Sequence, residues 1–143
     1  MDMLDRTLTQ IENHDWGPPT YDSHLVTECH RLRNVPLREL STEDLRMLIG
    51  QEIGLAHLVP LAIAHLERDP WAGGHLYPGD LLKTTAEVPA SYWSEHPTMI
   101  PRFQGVLDEI VRRNRFCTDE VLPAWHRAFG SRSGPSPRDP EQR

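Results

Sequence analysis

The sequence predicts an all-α fold: a single compact multi-helix domain of about six to seven helices, several of them short, with a flexible C-terminal tail. Three observations carry this expectation. Apolar residues recur three and four apart over most of the chain. Segments with that period open on Ser, Thr or Asp and close on Pro, Gly or Asn. No alternating apolar and polar run is long enough for a convincing strand. The 143 residues suit one core, with the helical domain expected over 1–129 and the tail over 130–143.

In chain order, Leu4, Leu8 and Ile11 share a helical face, and Asp2 and Asp5 suit a helix N-terminus, so Met1 to Asn13 reads as a short docking helix. His14-Asp15-Trp16-Gly17-Pro18-Pro19 stops it, because prolines supply no amide hydrogen. Asp22 or Ser23 can cap a second helix that runs to about Arg33 and buries Leu25, Cys29 and Leu32. His30, Arg31 and Arg33 then take its flanks and C-terminal end, where cations favour the helix dipole. Ser41, followed by Thr42, Glu43 and Asp44, opens a third helix whose buried face is Leu45, Leu48 and Ile49. Gly50 and Gly54 imply a break or a close approach after it.

Leu55 to Arg68, with Leu58, Val59, Ala62, Ile63 and Leu66, is the expected central helix. It either begins near His57 or bends at Pro60, since an interior proline costs about 3 kcal/mol. Asp69-Pro70 ends it. Gly73-Gly74 and Tyr77-Pro78-Gly79 form a turn region, after which Asp80 can cap a short helix, and Pro89 opens a brief segment holding Tyr92 and Trp93. Phe103, Val106, Leu107, Ile110 and Val111 define a helix over Met99 to Arg115. Val121, Leu122, Trp125 and Phe129 define a last one from about Thr118. From Gly130 onward apolar anchors are missing, which gives the tail.

Composition narrows the function. Fifteen Lys and Arg against 21 Asp and Glu leave a formal charge of -6, which disfavours direct nucleic-acid binding and suits a basic protein partner. The most apolar run, around Ile53 to Leu66, is interrupted by His57 and His65 and falls short of the roughly 20 residues of a membrane span. Met1 to Ile11 does not read as a secretory signal, so a cytoplasmic location is expected. Cys29 and Cys117 lie far apart and read as free thiols.

Catalytic and metal chemistry find little support. Eight histidines include no HExxH; His24 with Glu28 and His65 with Asp69 offer two ligands each, where zinc takes three or four. Gly130-Ser131-Arg132-Ser133-Gly134 matches the serine-hydrolase string, but a Pro-rich tail follows it instead of a helix. Cys29 and His30 are helix neighbours that point about 100° apart. The expectation is therefore a binding protein with no enzyme activity, no catalytic residue, no metal and no cofactor.

One ordered set of strings remains: Cys29-His30-Arg31-Leu32-Arg33, Pro36-Leu37, Glu43-Asp44-Leu45-Arg46-Met47-Leu48-Ile49-Gly50-Gln51, Gly54-Leu55, Leu58-Val59-Pro60-Leu61-Ala62 and Tyr77-Pro78-Gly79-Asp80-Leu81-Leu82. Over about residues 20 to 97 this set resembles the immunity proteins of contact-dependent growth inhibition systems. The resemblance implies a cytoplasmic antitoxin in bacterial competition, which binds and neutralises a cognate toxin domain delivered by a neighbouring bacterium. It makes His30, Arg31, Leu32, Arg33, Leu45, Ile49, Pro60, Tyr77, Pro78, Gly79 and Asp80 scaffold positions. Many such toxins are nucleases, so a basic ribonuclease or another nuclease is the expected partner. The acids Glu43, Asp44, Glu67, Asp69, Asp108 and Glu109 are the expected toxin contacts, read from helix faces taken to be exposed. The alternative is a small helical regulatory or adaptor protein with another protein partner. The sequence leaves the oligomeric state open.

Overall fold

The computed structural model describes residues 2–20 and 22–129. The expected flexible tail and the Gly130–Gly134 string lie outside the described residues. The regular elements among those residues are all helical, with no strand, and the chain divides after Val106 into two compact units.

The first unit opens on a 3₁₀ turn, Met3–Asp5, followed by α1, Leu8–Glu12. The single helix expected over 1–13 is thus divided. Thr7 starts α1 afresh with a capping box, its hydroxyl accepting from the Gln10 amide while the Gln10 side chain accepts from the Thr7 amide. Helix α2, His24–Leu32, is capped by Ser23 and buries Cys29 and Leu32, whereas Leu25 is exposed. A 3₁₀ turn at Leu37–Glu39 leads to α3, Thr42–Gly50, where Ser41 and Asp44 form a second capping box.

The break between α3 and α4, Leu55–Arg68, falls at the expected glycines. Gly54 caps α4 at φ 61°, a left-handed conformation suited to glycine, and a Cβ there would lie 2.9 Å from both Leu8 methyls. Pro60 stands at the sixth residue of α4, so the helix starts before it and the Ala56 carbonyl loses its helical donor. A loop then leads to α5, Asp80–Ala86, and to α6, Ala90–Glu95. The core forms where α3 packs against α2, α4 and α5. Leu45, Leu48, Leu58, Val59, Ala62, Ile63, Leu66 and Leu81 are all buried there. Phe103 and Val106, on the first half of α7, Met99–Phe116, complete this unit, with Trp93 packed 5.5 Å from the Phe103 ring.

The second unit holds the rest of α7, a π turn at Cys117–Val121 and α8, Leu122–Phe129, which follow without an intervening loop. The sequence expects buried faces here, but Val111, Val121, Leu122 and Trp125 are exposed. Counting α7 through α8 as one run, the described residues form seven α-helical segments, several of them short.

Candidate functional site

Two arginines organise the first unit, and sequence spacing foretold neither arrangement in full. Arg33, expected on a flank, is 2% exposed. Its Nη1 donates to Glu12 Oε1 at 2.5 Å, its Nη2 donates to the His14 carbonyl at 2.8 Å, and its guanidinium lies 4.4 Å from the Trp16 ring centroid. His30 packs edge-on against the same indole and bonds through Nδ1 to the Gly17 carbonyl at 3.0 Å. Arg31 pairs with Glu28, so the basic group His30-Arg31-Leu32-Arg33 ties α2 to itself and to the segment before it. Below this face Cys29 is a free, buried thiol, and burial raises its pKa; Cys117 is free and exposed.

The second arginine, Arg46, lies beside the loop between α4 and α5. Its guanidinium holds Glu43 in two hydrogen bonds of 2.8 and 2.6 Å, the pairing expected of residues three apart on a helix. Arg46 Nε also lies 3.6 Å from Asp80 Oδ2. Both carboxylates accept from the loop backbone: Asp80 from the amides of Gly74 at 2.6 Å and Leu76 at 3.1 Å, Glu43 from the amide of His75 at 2.8 Å. The Arg46 hydrogen bonds lower the Glu43 pKa to about 2 against the opposing effect of burial, with help from the His75 amide. Three consecutive loop N–H groups thus end on two carboxylates rooted in helices.

This corrects the expected role of Asp80. It is the first residue of α5 and is 1% exposed; its side chain makes no cap of its own helix and reaches back into the loop, while Gly79, at φ 90°, takes the cap position. A Cβ at Gly74 would collide with Glu43 Oε1, which explains the glycine. At the base of the loop the Trp71 amide donates to Asp69 Oδ1 at 3.0 Å and the Gly79 amide to the Trp71 carbonyl at 3.2 Å. His65, whose pKa burial lowers, meets Thr42 Oγ1 at 3.3 Å, joining the end of α4 to the start of α3.

With its backbone fixed from inside, the loop turns its large side chains outward. Trp71 is 46% exposed, Tyr77 47% and Leu76 63%. They border an open notch of about 470 Å³ floored by Gly73 and Gly74. The middle third is rich in aromatics. The structure separates them: Tyr92 is buried, whereas Trp71 and Tyr77 are not.

The six acids singled out from sequence do not form one cluster. Glu43 is only 12% exposed at its side chain and belongs to the loop anchor, and Asp44 is spent in the Ser41 capping box. Glu67 is exposed and bridges to Arg102 on α7 at 2.7 and 3.1 Å, which lowers its pKa. Asp69 is exposed and closes the turn after α4. In the second unit Asp108 is exposed, and Glu109 pairs with Arg112 and Arg113. Among the described residues no three His, Cys, Asp or Glu side chains converge as a metal-ligand set, and no helix is long and apolar enough to cross a membrane.

No curated protein and no solved structure matches the chain. The family model of CDI immunity proteins matches residues 10–102, a stretch that holds α2 through α6 together with both arginine-centred arrangements. The chain belongs to the CDI immunity proteins.

Proposed function

We propose that this protein is a stoichiometric inhibitor that acts in the cytoplasm by binding and neutralising a cognate toxin domain, a nuclease, delivered by a neighbouring bacterium. Family membership over residues 10–102 is the observation that carries this reading. Charge supports a basic partner: residues 1–106 hold 15 Asp and Glu against eight Lys and Arg, while residues 107–143 are nearly balanced at six against seven. In this reading the chain covers the toxin's active site or the path of substrate to it, and it catalyses nothing itself. Of the acids named from sequence, Asp69 and Asp108 are exposed toward a partner, and Glu67 and Glu109 are so in part, each held by arginine; Glu43 and Asp44 act by holding the frame.

The test is co-expression with the toxin domain encoded beside this chain's gene, followed by purification and a nuclease assay. A complex of fixed stoichiometry, with nuclease activity lost and restored on dissociation, is the expected result. Free toxin with full activity in the presence of excess protein would overturn the reading.

A further inference from the structure

We propose that the toxin seats on the loop between α4 and α5, with Trp71, Leu76 and Tyr77 as its anchors, and that it presents a basic, arginine-bearing face there. The inference rests on the inhibitor reading above and adds the place and chemistry of contact.

Three observations lead to it. First, the loop is built before any partner arrives. The amides of Gly74, His75 and Leu76 are held by Asp80 and Glu43, and both ends are tied through Trp71 and Gly79. A loop already in its bound shape loses little conformational entropy on association. Second, the same hydrogen bonds that draw the backbone inward leave two aromatics and a leucine about half or more exposed beside one notch. Trp and Tyr are enriched among the few residues that dominate interface energy, and the notch beside them is open to a partner's side chain. Third, the surroundings favour a cation. The first unit carries nearly twice as many acids as basic residues, Asp69 stands exposed at the end of α4, and the half-exposed rings of Trp71 and Tyr77 can receive a guanidinium.

The experiment measures binding of the toxin domain encoded beside this chain's gene to the wild-type protein and to a Trp71→Ala/Leu76→Ala/Tyr77→Ala variant. Thermal unfolding shows whether the variant is folded, and light scattering gives its mass. The expected result is a melting temperature within a few degrees of wild type, affinity weakened by at least about 100-fold, and wild-type affinity that falls with added salt. A Val111→Glu variant, altered in the second unit, should bind as wild type does. Undiminished binding and protection by the triple variant would overturn the loop assignment while leaving the inhibitor reading intact. Failure of the wild-type protein itself to bind would overturn both. A wild-type dimer that the triple substitution dissolves would make a second copy the occupant and would also overturn the proposal. If the triple variant fails to fold, Leu76→Ala and Tyr77→Ala are measured singly. Unchanged affinity in both would count against the loop, and a graded loss would support it.

Discussion

The apolar stripe of α4 and the stripe that runs from the end of α7 into α8 share one period and have opposite surroundings. Leu58, Val59, Ala62, Ile63 and Leu66 on α4 are 0% exposed, whereas Val111, Val121, Leu122 and Trp125 are 44 to 58% exposed. Both stretches are helical. The difference lies in what packs alongside: α3 and α5 close over α4, and within the second unit the α8 contacts are chiefly with the adjacent π turn. Spacing fixes which residues share a helix face; a second element has to arrive before that face leaves water.

Substitutions can break or sharpen this contrast. The largest effect is expected from Leu48→Asp, which puts a charge without a partner where α3 meets α4 and α5; loss of more than about 4 kcal/mol should abolish the cooperative thermal transition seen by circular dichroism. Asp80→Ala removes the acceptor of two loop amides and should cost about 2–3 kcal/mol, with faster hydrogen exchange confined to Gly74, Leu76 and their neighbours.

A related loss should appear with acid. The folded-state pKa of Glu43 is depressed from 4.5 to about 2, so the stability this group contributes is present above the unfolded value and is lost as pH falls from 4.5 toward 2. Glu43→Gln should flatten the pH dependence of stability in that window relative to wild type. Gly54→Ala should cost about 1–2 kcal/mol in a denaturant titration, through both the positive φ and the Leu8 contact. Smallest of all, Val111→Glu should move stability by less than about 0.5 kcal/mol; a cost near that of Leu48→Asp would mean that the second unit's apolar face is covered in solution.

The parts of the fold legible in the sequence are those decided within a few residues. Ser23 and Ser41 announced their helices because a hydroxyl cap and the amide it accepts lie in one turn. Gly54 marked a break because φ is a local property. Arg33 read as a solvated flank because the residues that bury it, Glu12, His14 and Trp16, come from some 20 residues earlier. Asp80 read as a cap because its position before a helix suggested one, whereas its partners lie in the loop behind it. Glu43 had a visible partner in Arg46, three residues on, but its bond to His75 spans 32 residues and carries no local mark. The acids chosen as exposed contacts were therefore partly internal, and the exposure of Trp71, Leu76 and of Tyr77, named only as a scaffold position, was not legible because it depends on which way the backbone is pulled.

The anchors of the loop between α4 and α5 grip main-chain amides, and every residue but proline supplies the same N–H whatever its side chain. Gly74 is excepted, since any side chain there would meet Glu43. At position 76, however, the frame takes no account of the side chain, whereas at position 75 His75 Nδ1 also lies 3.8 Å from Glu43 Oε2. Position 76 can therefore be re-lettered without the loop being rebuilt: Asp80 and Glu43 hold the backbone, and the side chain displayed at the tip is open to change.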